Sequence, residues 1–169
     1  VRDIRFFRYK RLPFQGQSFL VARSGWSKQG GFEIYVEGSE NGMPLWQARF
    51  DAGADLNVRA GCPSNIERIE SGLLSFGSDM RRENTPYDCG LGRFCNSPED
   101  YIGKAALAEQ AARGPARQIR PVIIGGEIGL CSDAWPVLAG GQQVGQVTSA
   151  VFSPEFGVNV AIAMIDRSH

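Results

Sequence analysis

From residue 118 onward the chain is a succession of short apolar runs cut by glycine, and few folds accept that texture. The runs cover residues 121–124, 135–139, 144–151 and 158–165. Each has the length of a strand, and none can cross a bilayer. Gly140 and Gly141 stand between two of them, and a glycine pair between apolar runs is a hairpin signal. The spacing predicts antiparallel β-structure to the end of the chain. The preceding linker, residues 113–118, holds Gly114 and Pro115. It predicts a division into domains 1–115 and 116–169.

Upstream of that linker, helix and strand alternate. Residues 19–22 and 32–36 read as strands joined by a loop over 24–31. Pro44 opens a helix that carries Trp46 and Phe50 one turn apart and ends at Gly53. Residues 66–74 fit helix or strand equally. Ser97 followed by Pro98, Glu99 and Asp100 predicts a capped helix start, with the helix running through 104–112 to Gly114. The class predicted from these elements is α+β.

The segment from Arg23 to Val36 carries the densest chemistry. A Gly30–Gly31 turn feeds a strand in which Phe32, Ile34 and Val36 alternate with Glu33, Tyr35 and Glu37. Alternate residues of a strand face opposite sides. If the apolar row is buried, Glu33 and Tyr35 open outward beside a backbone turn, with Trp26 in the preceding loop. A carboxylate and aromatic rings suit a flat heterocycle rich in N–H groups. The same residues would also suit an ordinary solvated strand.

Composition narrows the functions. The 169 residues have formal net charge +0 and are 43% hydrophobic, enough for a real core. The four cysteines, Cys62, Cys89, Cys95 and Cys131, form no C-x-x-C pair, and the one histidine is His169. A metal site is therefore not predicted. Ser–His and Cys–His catalysis lack an internal histidine. Sparse cysteines and the absence of a signal-like segment predict reduced thiols and a cytoplasmic protein without a membrane anchor. Arg2, Arg5, Arg8, Lys10 and Arg11 alternate with Phe6, Phe7 and Tyr9. No basic excess continues downstream, so a partly buried strand with a basic outer face is preferred to nucleic-acid binding. Glu67 and Glu70 flank Arg68, and a local ion pair is preferred to an acid/base pair. Asp79 is a site carboxylate or a turn cap. Cys89 reads as a buried thiol.

Six motifs then follow in order: SGWSKQGGFEIYV, GCPSNIERIESGLLSFGSDM, NTPYDCGLGRF, DYIGKAAL, WPVLAGGQQVGQVTSAVFSP and NVAIAMI. The series resembles the glycine-cleavage T-protein (aminomethyltransferase) family, and most closely its dimethylsulfoniopropionate demethylase branch. The resemblance runs from about Phe19 onward. It implies a T-protein-like folate-binding fold of mixed and antiparallel sheets with helices, then an incomplete antiparallel β-barrel. It implies tetrahydrofolate as cofactor, with Glu33 hydrogen-bonding the pterin. Trp26 takes the place of the loop tyrosine of the family's GYTGEDGFEI, and Tyr35 is a third contact. A small-molecule methyl donor is the implied partner, and methyl or one-carbon transfer to folate the implied reaction.

Two departures point away from aminomethyl transfer. Ser64 stands where the family has an arginine before its LRLEAG segment, and SKQGG replaces TGEDG. The family's first half, with an aspartate near the folate nitrogens, has no counterpart here. A fragment of a protein of roughly double length is therefore expected, with the catalytic residues and the activity belonging to the parent. Aminomethyl transfer, folate binding without turnover, and the T-protein-like domain of an amine-demethylating flavoenzyme remain as alternatives.

Overall fold

The computed structural model describes residues 1–25, 30–62 and 64–169. The chain divides into two compact units, Val1–Ser64 and Asn65–His169.

The first unit is built on three antiparallel strands in spatial order β1-β2-β3: β1 (Tyr9–Phe14), β2 (Gln17–Ala22) and β3 (Glu33–Tyr35). Gln15 and Gly16 both take positive φ, which turns β1 into β2 through a two-residue loop. The basic N-terminal stretch enters the sheet only from Tyr9. Its Lys10 and Arg11 are both exposed but project to opposite sides of the sheet, Lys10 with Val21 and Arg11 with Leu20, so the expected single basic outer face does not form. Ile4, Phe19 and Val21 are the buried apolar side chains of this unit among the described residues. Helix α1 (Gly42–Ala52) follows, with Pro44 inside its first turn. The Trp46 and Phe50 rings meet at 4.8 Å on one face of it, as the i, i+4 spacing predicts.

One sequence expectation is corrected here. Phe32, Ile34 and Val36 were expected to share a buried row, but Phe32 is 40% exposed and Val36 is also exposed. Only Ile34 is half-buried, opposite the buried Val21 of β2. β3 is three residues long and lies at the sheet edge. Its flanking residues leave the ladder before they can reach a core. Phe32→Ala is therefore expected to cost about 1 kcal/mol or less, not the roughly 3–5 kcal/mol of a fully buried ring. Chemical denaturation of the two proteins checks this.

The second unit carries helices α2 (Asn65–Glu70) and α3 (Lys104–Arg113) and a four-stranded antiparallel sheet. The strands are β4 (Arg117–Ile124), β5 (Trp135–Ala139), β6 (Gln142–Ser153) and β7 (Val158–Asp166), in order β4-β7-β6-β5. All four apolar runs of the tail become strands. Gly140 and Gly141, both at positive φ, make the β5–β6 turn. Val147, Ala161 and Ala163 form the core of the sheet, covered by Val122, Trp135, Val137 and Ile165 among others. Small residues are needed where β6 meets β7. A Cβ on Gly145 would lie 2.5 Å from the carbonyl oxygen of Met164. The sheet stays open and does not close on itself, so the fold is α+β with an incomplete antiparallel barrel. Segment 66–74 resolves to helix only over Asn65–Glu70.

The helix start is also corrected. α3 begins at Lys104, not near Ser97, and Gly103 precedes it at φ 88°. Ser97 instead closes a local turn, its Oγ accepting from the Glu99 N–H at 3.2 Å. A left-handed residue between Pro98 and Lys104 interrupts the helical path that the cap signal would have started. No helix among the described residues is long and apolar enough to cross a membrane.

Candidate functional site

In the first unit, the strand register builds an open face. Across β1, β2 and β3, Tyr9 pairs with Ala22 and Ala22 with Glu33, while Arg11 pairs with Leu20 and Leu20 with Tyr35. Residues directly opposite one another project to the same side of an antiparallel sheet. This face therefore has a half-buried apolar floor, Leu20 and Ala22, between two polar walls. Glu33 and Tyr35 form one wall, Tyr9 and Arg11 the other, and all four are exposed. Tyr35 keeps 54% of its surface open.

The Ser24 hydroxyl donates to Glu33 Oε2, which orients the carboxylate and leaves further lone pairs for a ligand's donors. Glu33 takes part in no ion pair among the described residues. Arg11 turns aside to Glu37, at 3.0 Å. Trp26, the third residue singled out in the sequence, lies outside the described residues. The alternation that pointed to Glu33 and Tyr35 could not reveal Tyr9, Leu20 or Arg11, because their proximity depends on strand pairing.

The second unit holds a different constellation. Arg68 of α2 and Asp79 are each 2% exposed and pair at 2.5 Å. Asp79 Oδ2 also accepts from the Ser75 N–H at 2.8 Å, and Oδ1 accepts from Thr148 Oγ1 at 2.7 Å and Ser149 Oγ at 2.6 Å. Arg68 donates further to the Leu73 carbonyl at 2.9 Å and to Ser149 Oγ at 2.8 Å. Consecutive strand residues normally face opposite sides. A register shift between Val147 and Ser149 lets both hydroxyls reach one carboxylate, as a β-bulge re-aims side chains.

The expected local pairing of Arg68 with Glu67 and Glu70 is thus replaced by a long-range one. Glu70 accepts instead from the buried Ser153 hydroxyl at 2.5 Å. Four donors occupy the oxygens of Asp79, so this carboxylate is an anchor with no capacity for proton transfer. Cys89 is buried, and burial pushes its thiol upward, aided by the Asp88 and Asp79 charges. Burial likewise raises Cys131. Neither is a poised thiolate. No group of His, Cys, Asp and Glu able to hold a metal occurs among the described residues.

The fold and site together define an α+β protein with one open, polar-walled sheet face and a separate sheet anchored by a buried ion pair. Residues 1–98 match the family model of the GCVT N-terminal domain, and residues 117–169 that of the glycine cleavage T-protein C-terminal barrel domain. The chain belongs to the glycine-cleavage T-protein family. It is 81% identical over its whole length to the dimethylsulfoniopropionate demethylase of Ruegeria pomeroyi, covering 46% of that protein. It is 33% identical to the aminomethyltransferase of Caldanaerobacter subterraneus, with 99% of this chain and 45% of that one aligned. The crystal structure of aminomethyltransferase T from Bartonella henselae shares the fold, with a TM-score of 0.73 at 23% identity over 99% of this chain and 46% of that one. The chain thus spans about half the length of these relatives.

Proposed function

We propose that this chain supplies one wall of a tetrahydrofolate site in a methyltransferase that takes a methyl group from a small donor, a sulfonium such as dimethylsulfoniopropionate. The observation that carries the reading is the Glu33 carboxylate, held by Ser24 on an open sheet face above an apolar floor. A pterin is flat and carries adjacent N–H donors. It needs an acceptor at its edge and an apolar surface beneath its ring, and Glu33 with Leu20 and Ala22 meets both needs. Tyr35 adds a phenol on the same wall, and Trp26 follows from the family resemblance as an aromatic cover.

The residues of this chain act by positioning. Bound tetrahydrofolate supplies the nitrogen that accepts the methyl group. Glu33 fixes the ring's rotation, and Tyr35 bounds it along the strand. Orientation of this kind contributes most where the donor already carries a good leaving group. Identity to the demethylase of 81%, against 33% to an aminomethyltransferase, favours the sulfonium donor over an aminomethyl one. We assign the folate-binding region to residues 1–115 and the barrel-type domain to 116–169. The relatives carry more than half of their length outside the matched region, and we assign the facing wall and the catalytic groups to it. Four free cysteines support a cytoplasmic setting.

Glu33→Gln keeps the shape but removes the charge. Hydrogen bonds to charged groups contribute about 1.5–3 kcal/mol, so tetrahydrofolate affinity of the full-length parent is expected to fall roughly 10- to 100-fold with an unchanged circular dichroism spectrum. Calorimetric titration reads the affinity, and equal affinity removes Glu33 from the site. Mass analysis of the folate product that the full-length parent forms with dimethylsulfoniopropionate gives methyl-folate on this reading. Methylene-folate formed instead from an N-methyl amine, with a flavin as the oxidant, would support an amine-demethylating role.

A further inference from the structure

The C-terminal half of α1 and the segment after it form a recess in the first unit whose lining includes none of the strand residues that build the sheet face. It encloses about 360 Å3 and is lined chiefly by Trp46, Arg49, Phe50, Val58 and Arg59. That volume lies at the small end of the range for small-molecule pockets, about 300–1,000 Å3.

Its parts are held in place. Gly53 admits the segment after the helix, since a Cβ there would fall 2.2 Å from Val58 Cγ2. The Gly53 N–H donates to the Arg49 and Phe50 carbonyls, at 3.1 and 3.2 Å, so the end of the helix is closed. Asn57 adopts a left-handed conformation, and its Oδ1 accepts from Arg59 Nε at 3.0 Å. That bond fixes the Nε edge of the guanidinium and does not use its terminal nitrogens. Trp46, 46% exposed and tilted against Phe50, offers an aromatic surface. Among the described residues neither Arg49 nor Arg59 forms an ion pair.

An aromatic platform beside two guanidiniums without carboxylate partners recognises a ring through its face and an anion through bidentate hydrogen bonds. We propose that this recess binds a planar aromatic carboxylate, the ring on Trp46 and Phe50 and the carboxylate on Arg49 and Arg59. The proposal is independent of the folate reading, because it uses none of the residues assigned to that site.

The test titrates 1-naphthoate into the full 169-residue chain, read by ligand-observed NMR and tryptophan fluorescence. Saturable binding is expected, weakened at least ten-fold by Arg59→Gln and by Trp46→Leu and unaffected by Glu33→Gln. The uncharged naphthamide should bind at least ten-fold more weakly than naphthoate. Arg59 is exposed, so Arg59→Gln should leave the circular dichroism spectrum intact, and an Arg49→Lys variant should retain part of the affinity. Equal binding of naphthoate and naphthamide would reduce the recess to an apolar patch and overturn the proposal. So would the absence of saturation at millimolar ligand, or tighter binding of an oligothymidylate that displaces naphthoate.

Discussion

Asp79→Ala is expected to destabilise the second unit by about 3–5 kcal/mol, the cost of leaving a buried cation without its partner. Arg68 is 2% exposed and cannot turn to water without unpacking α2. Removing the carboxylate also takes an acceptor from the Ser149 hydroxyl and the Ser75 N–H, whereas the Thr148 hydroxyl keeps the Ile162 carbonyl at 3.1 Å. The loss therefore reaches helix, loop and strand together. Arg68→Leu should cost a comparable amount by the converse route, leaving a buried anion. The double variant Arg68→Met/Asp79→Leu discriminates between stability and registry. Apolar replacement of both partners removes the uncompensated charge and should recover part of the loss, the Ser149 hydroxyl and Ser75 N–H still lacking the acceptor that Asp79 gave them. If the pair also fixes the β6 bulge, the double variant should show altered amide exchange around residues 147–149 while being more stable than either single variant. Urea denaturation gives the first quantity and hydrogen exchange the second. A single Asp79→Ala variant within 0.5 kcal/mol of the parent would contradict the buried geometry.

The same network marks where the sequence stops being readable. The four tail strands were legible because their apolar runs and glycine breaks are local signals, and β6 and β7 follow them closely. The bulge was not legible. Thr148 and Ser149 are both buried and meet one carboxylate, whereas a period of two would send them to opposite faces. Arg68 was misassigned for a related reason. Glu67 and Glu70 are its neighbours in sequence, but Asp79 reaches it only once the 71–79 segment folds back. The helix start near Ser97 failed because a capping hydroxyl serves a turn as readily as a helix.

At the candidate site, alternation alone placed Glu33 and Tyr35 on one wall. The opposite wall, Tyr9 and Arg11, and the floor between them emerged only from antiparallel register. Register is set by pairing partners distant in sequence, so half of this face was hidden from a residue-by-residue reading. The resemblance to the T-protein family added the cofactor, which no spacing in this chain specifies.

Ile4→Ala should have the largest effect in the first unit, about 2–5 kcal/mol for deleting a fully enclosed aliphatic side chain. Ile4 is 1% exposed and is one of three buried apolar side chains among the described residues of that unit, with Phe19 and Val21. A unit with so few buried groups has little surplus stability to absorb the cavity. The position is also tied to the sheet, because Arg23 Nη1 donates to the Ile4 carbonyl at 3.1 Å, and the Arg23 backbone N–H extends the ladder to Arg8 at 2.9 Å. Loosening that corner should expose β2, and β3 is held in the sheet through β2. Amide protection along residues 19–22 and 33–35 should therefore fall. Tetrahydrofolate affinity should drop with it, although Ile4 lies on none of the strands that form the proposed binding face. Ile4→Val, which keeps most of the volume, should cost only about 0.5–1.5 kcal/mol and restore both readouts. A protection loss with unchanged affinity would detach the folate reading from this sheet, whereas a null effect on both would show that Ile4 is not the centre of the unit's core.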